Sequence, residues 1–394
     1  MEENQNNFPQ GVTPPSENAV MVLGADGKYY WMIPTEPPQP TPQPNPAAFQ
    51  QTYTPAVTVK PPIPYGYTEK TYNERKDIRR EALALGFAFL SISIVPYILN
   101  FLFDYILAPF FASDMFVSEN IFGGAVFNEI LQICFSFFAF TVPFIIFSKC
   151  IGKQQLAKIT GFNRVEKGLG LPMFLFGIAF CGFAQVATDV AATFFGQFFT
   201  YEVPHYESAG GVTGIILSVI STAITPALAE EFACRGIALG SLRKYGEGFA
   251  LTVSSLLFAF MHGNFQQIPF AFLVGLALGY IRIKSGSIWI CCAVHGFNNL
   301  LSVIYETLQK YWLSETQTET LYIIVITVCM LLGLVALFML NDKKGLFKLE
   351  KSGLECTGKQ KFKWFFTSPV IIIFLVEVLL ESAVFFLPSG MLNF

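Results

Sequence analysis

Residues 135–147 read FSFFAFTVPFIIF, an uncharged stretch in which apolar residues follow one another instead of alternating with polar ones. Similar stretches, such as FLFDYILAPFF at 101–111, recur along the chain. Of the 394 residues, 53% are hydrophobic and 13% are charged, whereas about 25% are charged in an ordinary soluble domain. The sequence therefore predicts an all-α fold, a polytopic transmembrane helix bundle.

Composition also excludes several other classes of protein. The chain is too apolar to be disordered as a whole, and it lacks the glycine repeat of collagen. Its eight cysteines show no CxxC spacing that would indicate a metal or disulfide framework. The net charge of −3 at pH 7 provides no basic surface, so nucleic acid is not an expected partner. Membrane lipid is an expected partner because the chain is so apolar.

Residues 1–68 form a segment of different composition. They contain 14 of the 23 prolines, with Gln, Asn and Thr between them, as in PPQPTPQPNP at 37–46. Such a segment buries too little apolar surface to offset its ordering entropy. It is therefore predicted to be a disordered, Pro-rich cytoplasmic tail, which could recruit a partner protein.

Residues 69–394 are predicted to form the bundle. A helix needs about 20 apolar residues to cross a bilayer. Nine segments are candidates, and eight spans is the alternative count because the fifth and sixth are short. The predicted spans are 82–103, 126–148, 169–195, 212–232, 249–263, 268–283, 287–306, 321–340 and 366–387.

Basic residues cluster in alternate loops between these spans, as the positive-inside rule describes. They precede the first span and follow the second, fourth, sixth and eighth, whereas the other loops contain only Lys310. The N-terminus is therefore predicted to be cytoplasmic. The short loops and the lack of an organelle signal favour an integral protein of a bacterial cell membrane.

Ionisable groups inside an apolar bundle need a physical reason. Residues 225–236 read TPALAEEFACRG and place Glu230 and Glu231 at the end of the fourth predicted span. Glu231 and Arg235 are four residues apart and can pair on one helical face. Glu230 points about 100° away and is free for another task. An interfacial ion pair at a helix end is the alternative interpretation.

Two of the chain's three histidines lie in predicted spans, His262 in the fifth and His295 in the seventh. His295 shares a helical face with Asn299, four residues later. A single buried histidine is usually a packing residue, but two of them with Asn299 and Glu230 form a polar core that packing alone would not favour. His205 lies in an acidic loop and is predicted to be an ordinary surface residue.

The order of these residues resembles that of a known family. Glu-Glu-x-x-x-Arg (230, 231, 235), Phe-x-x-x-His (258, 262) and His-x-x-x-Asn (295, 299) are similar to the three motifs of the CPBP family. This family comprises CAAX prenyl proteases of the Ras-converting type with their bacteriocin-processing and abortive-infection relatives. The motifs occur in order in three separate predicted spans, and the resemblance covers about residues 211–305.

The resemblance implies an intramembrane endopeptidase that cleaves a membrane-associated peptide or a prenylated CAAX-like substrate. Glu230 and His262 would activate a water molecule, while His295 and Asn299 would stabilise the oxyanion of the tetrahedral intermediate. A desolvated carboxylate is a suitable base, and neutral His and Asn are suitable donors in a dry site. Three further motif residues would support the site: Glu231, Arg235 and Phe258.

The resemblance leaves the cofactor open. The family is often labelled as metalloprotease, and zinc bound by His262, His295 and Glu230 would keep an open coordination position. However, the HExxH motif is absent, and Asn299 is a poor zinc ligand. A reaction without metal is therefore the expectation, with zinc as the alternative.

Four other acidic residues inside the predicted spans have no His or Arg at helical spacing and are expected to be hydrogen-bonded internally. They are Glu129, Asp189, Glu377 and Glu381. The YD and GxGD motifs of aspartyl intramembrane proteases are absent, and so is the rhomboid GxSG motif.

Two non-proteolytic functions stay open at the level of the sequence. An ion-coupled transporter could use the polar core, but the internal repeat typical of transporters is not found. A non-catalytic scaffold, immunity protein or chaperone could retain the fold and the motifs.

Overall fold

The computed structural model describes residues 20–23, 29–32, 63–64, 66–102, 105, 124–197, 210–341 and 348–384. The chain divides into two compact units, Met1–Pro61 and Pro62–Phe394. His205 lies outside the described residues, and so does most of the predicted tail.

The N-terminal unit contains an antiparallel hairpin. Strand β1 (Val20–Leu23) pairs with β2 (Tyr29–Met32), so that Val20 lies opposite Met32. Valine and aromatic residues favour strands, and the Asp-Gly pair at 26–27 favours a turn between them. In these eight residues the structure differs from the predicted coil.

The described part of the second unit is all-α, which confirms the predicted fold class. Its helices are α1 (Glu69–Phe101), α2 (Gly124–Cys150), α3 (Leu156–Ile159), α4 (Gly170–Phe195), α5 (Gly211–Tyr245), α6 (Glu247–Phe260), α7 (Gln267–Ser285), α8 (Trp289–Tyr311), α9 (Glu315–Leu340), α10 (Gly358–Phe366) and α11 (Pro369–Val384).

Each predicted span coincides with one of these helices, but fewer of them qualify as membrane spans. Six helices are long and apolar enough: α1, α2, α4, α5, α7 and α9. Helices α10 and α11 meet at 72° and add a seventh if they form one span. The 14 residues of α6 extend about 21 Å, which is less than the ~30 Å of a hydrocarbon core. His295, Asn298 and Asn299 lower the hydropathy of α8. By length and composition, the described residues therefore contain six or seven candidate spans, against the eight or nine expected.

Helix α5 is longer than its predicted span, 212–232, and is wound irregularly. Two π-helical segments, Val219–Ile224 and Phe232–Ala238, flank the α-helical segment Thr225–Glu231. Pro226 explains part of this, because proline lacks the N–H that an α-helix needs at this position. The glutamate pair therefore lies in the interior of a helix and not at its end, as the sequence had indicated. π-Helical turns occur frequently at functional sites.

The start of the bundle lies before the predicted boundary at residue 68. The Thr68 hydroxyl oxygen accepts a hydrogen bond from the Thr71 N–H (3.1 Å) and thereby caps α1. The ring of Tyr67 lies 5.9 Å from that of Trp364 in α10. These two residues therefore belong to the bundle and not to the tail.

Helix α5 contacts α2, α6 and α8 and thereby joins the two apolar cores. One core consists mainly of side chains from α1, α2, α5, α6, α10 and α11, and the other of side chains from α4, α7, α8 and α9, with α7 contributing to both. The first two motifs lie on or next to helices of the first core, and the third motif lies on a helix of the second. The motif residues thus meet where α5 packs on α8.

Candidate active site

Glu231 is the centre of a buried polar network that links α5 to α8. Its side chain is fully buried, and its Oε1 accepts hydrogen bonds from Arg235 Nη1 (2.7 Å) and His295 Nδ1 (2.8 Å). The pair with Arg235 is the one that the four-residue spacing predicts. The contact with His295 crosses between helices, and spacing along the chain could not reveal it.

Phe258 in α6 supports the same network through its ring. The Arg235 guanidinium lies over this ring at 4.0 Å from the centroid, a cation–π contact. The ring also meets His262 and His295 edge to face, with centroids 5.0 and 6.0 Å apart. Phe258 therefore separates the two histidines and fixes the position of both rings.

His262 lies in the turn after α6, not inside a helix as predicted. Its Nδ1 is 2.8 Å from the backbone carbonyl oxygen of Phe258. A carbonyl oxygen only accepts, so Nδ1 carries the proton of the neutral ring. Nε2 is then an acceptor, which suits a side chain that takes a hydrogen bond or a proton from water.

The same reasoning changes the expectation for His295. A carboxylate accepts its Nδ1–H, so Nε2 of the neutral ring is an acceptor and donates only when the ring is doubly protonated. A donor role for His295 towards an oxyanion therefore requires a charged ring, whereas the sequence had indicated a neutral one.

Asn299 is held by the irregular part of α5. Its Nδ2 donates to the backbone carbonyl oxygen of Thr222 at 2.9 Å. In a regular helix this carbonyl would accept from the N–H of residue 226, which is proline and has none. Asn299 therefore supplies a side-chain donor to a carbonyl that cannot accept from the backbone of residue 226. Its amide nitrogen carries a second hydrogen that can be donated to another acceptor.

Glu230 points about 100° away from Glu231 around α5 and lines a cavity, which His295 of the network also lines. Its Oε2 is buried and has no hydrogen-bond partner among the described residues. The cavity, called here the first cavity, has a volume of about 200 Å³ and is lined by all four residues predicted to be catalytic: Glu230, His262, His295 and Asn299.

A larger cavity of about 790 Å³ adjoins the first one. The two share Gln132, Pro226, Glu230 and His262, so the glutamate and the histidine line both. Side chains of α1, α2 and α11, many of them apolar, form the rest of its lining. The arrangement offers room for a polypeptide segment beside the Glu230 carboxylate.

Several amide side chains at the site were not identified from the sequence. Gln132, Gln267 and Asn298 line the first cavity. They belong to none of the three motifs, and the only available signal was the presence of an uncharged polar side chain in an apolar helix. Such side chains are common enough that this signal alone does not single them out.

Two of the other intramembrane acids, Glu129 and Asp189, are hydrogen-bonded, as expected. Glu129 accepts from the hydroxyls of Ser218 and Ser221, and Asp189 accepts from Gln185 at 2.8 Å. Glu377 differs from the expectation, because its buried Oε2 has no hydrogen-bond partner among the described residues. Glu381 lines the larger cavity, a position that its spacing in the sequence did not reveal.

The residues suggested as zinc ligands do not form a metal centre. Within the described ranges, no three His, Cys, Asp or Glu side chains lie together so that they could hold a metal ion. The nearby Arg235 guanidinium also opposes binding of a cation next to His295. The arrangement does not fit zinc held by Glu230, His262 and His295.

The central part of the bundle matches the model of a known protein family. Residues 212–301 match the family model described as Type II CAAX prenyl endopeptidase Rce1-like, and this range includes all three motifs. No curated protein and no solved structure matched the chain. The match confirms the resemblance to CPBP intramembrane proteases and, with the apolar helices, indicates a membrane endopeptidase.

Proposed function

We propose that the protein is an intramembrane endopeptidase in which Glu230 and His262 activate water without a metal ion. One observation carries the proposal: Glu230, His262, His295 and Asn299 line one cavity, while Glu231 and Arg235 are bound to each other behind it. The four side chains proposed to react thus line the cavity, whereas Glu231 and Arg235, which hold them in place, do not.

The reaction follows from the hydrogen-bonding capacity of each side chain. A water molecule donates one hydrogen to the Glu230 carboxylate and is oriented by Nε2 of His262. Glu230 takes the proton as the water oxygen attacks the scissile carbonyl carbon. The resulting oxyanion accepts hydrogen bonds from Nδ2 of Asn299 and, when both ring nitrogens of His295 carry a proton, from its Nε2. Glu230 then returns its proton to the leaving amine, and the peptide C–N bond breaks.

The proposed substrate is a membrane-associated peptide or a prenylated CAAX-like protein, cleaved near its terminus. The larger cavity supports this, because it joins an apolar and aromatic lining to the Glu230 carboxylate. A segment lying in this cavity would present its peptide bond to the first cavity. The alternating basic loops support a cytoplasmic N-terminus, and we place the protein in a bacterial cell membrane.

The test compares peptide termini in membranes from cells that contain the wild-type protein or Glu230→Ala. Glu319→Ala, at an exposed position in α9, is the matched control for removal of a carboxylate. The expected result is a set of termini present with wild type and with Glu319→Ala but absent with Glu230→Ala. Identical termini in all three samples, at equal protein levels, would contradict proteolysis and favour a non-catalytic scaffold.

A further inference from the structure

A second polar cavity lies next to the first one. It has a volume of about 200 Å³ and is formed by α4, α7, α8 and α9. Seven of its lining residues carry hydroxyl or amide side chains: Gln185, Gln267, Asn298, Asn299, Ser302, Tyr305 and Tyr322. Helices α4 and α9 lie outside residues 212–301, so about half of the lining of this second cavity comes from outside the range that matches the family model.

The two cavities have a common wall. Gln267, Phe270, Asn298 and Asn299 line both of them. Within this wall, Nδ2 of Asn298 donates to Oδ1 of Asn299 at 3.3 Å, which is long for a hydrogen bond. Because Asn299 is also the proposed oxyanion donor, the second cavity begins directly behind the reaction site.

The second cavity is polar enough to retain water. The Tyr305 hydroxyl is buried and has no partner among the residues that the structure describes. Apolar cavities stay dry, whereas a cavity holds water when it offers two to four polar partners and a volume of at least ~10–15 Å³. The volume of about 200 Å³ is several times larger than this limit, so it accommodates a group of water molecules.

Peptide hydrolysis consumes one water molecule per bond, and hydrocarbon surroundings contain almost none. We propose that the second cavity holds the water that the reaction consumes, and that this water reaches Glu230 past the Asn298–Asn299 pair. The inference rests on the proposed function, because it assigns a source to the second substrate of the same reaction. The bound species is water, and the groups that hold it are neutral donors and acceptors.

The first experiment measures whether the second cavity is wet. Cys181 and Cys329 line it and are only 5% and 7% exposed, while Cys234 and Cys291 are 0% exposed and line neither cavity. Hydroxyl radicals generated from bound water by X-ray pulses, with the protein in lipid nanodiscs, should oxidise the first pair about tenfold faster than the second pair. Equal, slow oxidation of all four thiols would show a dry cavity and overturn the inference.

The second experiment measures whether this water is used. Cys329→Phe places a ring in the second cavity, and Cys329→Ala is the matched control that leaves it open. With a cleavable peptide, the kcat of Cys329→Phe should be about tenfold below that of Cys329→Ala, with the same KM in both variants. Should Cys329→Phe fail to fold, Tyr305→Phe removes the unpartnered hydroxyl at nearly constant volume, and kcat should fall with KM unchanged.

The outcomes separate this inference from the proposed function. Peptidase activity of the wild type is measured first, so its absence would refute the proteolytic function itself. An active enzyme whose kcat is unaffected by Cys329→Phe would overturn only the water supply. A raised KM at constant kcat would also overturn it, because the second cavity would then bind part of the peptide.

Discussion

The two sides of the central helix α5 differ although each carries a glutamate from the same dipeptide. On one side, Glu231 is fully buried and bound to Arg235 and His295. On the other side, Glu230 lines two cavities. The Oε2 atoms of both glutamates lack a partner in the described part of the chain, so the difference lies in the contacts of Glu231 Oε1 and in the cavities beside Glu230. Adjacent identical residues thus have opposite surroundings because they lie about 100° apart around the helix.

This difference shows how a membrane protein can hold a reactive carboxylate inside its bundle. Burying one charge requires a partner, and the side with Glu231 provides it through Arg235, His295 and the ring of Phe258. The rigid side then fixes the helix that presents Glu230. The Glu231 side of α5 is expected to determine stability, and the Glu230 side is expected to determine turnover.

The largest effect is expected for Glu230→Gln. The amide has nearly the same shape but cannot accept the proton of water, so kcat should fall about 10⁴-fold. The melting temperature in detergent should stay within about 2 °C of wild type, because Glu230 makes no contact that the fold requires. Glu231→Gln is the control on the opposite side and should lower the melting temperature. Retention of activity by Glu230→Gln would place the base elsewhere.

The next largest effect is expected for Arg235→Ala. This change removes the guanidinium and leaves the buried Glu231 carboxylate with one partner fewer, which should cost about 3–5 kcal/mol in the free energy of unfolding. Protein yield and the denaturation midpoint measure it, with exposed Lys363→Ala as control. A fully stable variant that has lost only activity would instead indicate that Arg235 contacts the substrate.

A smaller effect is expected for Asn299→Ala, which removes a proposed oxyanion donor. Loss of one such donor should lower kcat about 100- to 1,000-fold while KM stays near its wild-type value. Asn163→Ala is a matched control, because Asn163 also donates its amide to a backbone carbonyl, that of Gly286 at 3.2 Å, but lies outside the site. An increase in KM alone would show that Asn299 binds substrate and does not stabilise the oxyanion.

The motif residues and their grouping could be predicted because charged and imidazole side chains are rare in apolar helices. The spacing of Glu231 and Arg235 gave their pairing, since it depends only on helix geometry. The resemblance to the family gave the convergence of Glu230, His262, His295 and Asn299. The all-α class followed from composition alone.

The remaining features depend on contacts between distant parts of the chain. The hydrogen bond from His295 to Glu231 joins two helices, and the role of Asn299 as partner of the Thr222 carbonyl depends on the π-helical turn before Pro226. The length of the apolar segment also misplaced the end of α5, because Arg235 and the small residues after it continue the helix through a π-helical segment. The second cavity belongs partly to α4 and α9, which carry no motif.

Removal of metal should change neither the stability nor the turnover of the protein appreciably. The buried network around Glu231 needs no ion, and the residues lining the first cavity are not arranged as a metal centre. After treatment with a strong chelator, kcat should stay within about twofold of its original value, with under one zinc per chain by elemental analysis. Stoichiometric zinc together with chelator-sensitive activity would make His262 and His295 ligands and would reassign their roles.

The smallest effects concern the N-terminal segment, and two deletions separate the tail from the bundle. Deletion of residues 1–61 removes the first compact unit and no residue of either side of α5, so kcat and melting temperature should be unchanged. Deletion of residues 1–68 also removes the Thr68 cap of α1 and the contact of Tyr67 with Trp364. Loss of a helix cap typically costs about 0.5–2 kcal/mol, so this longer deletion should lower the melting temperature measurably and leave kcat intact.

Equal stability of the two truncated proteins would show that Tyr67 and Thr68 belong to the tail after all. A fall in kcat on deleting 1–61 would mean that the tail takes part in the reaction, against the division of roles between the two sides of α5.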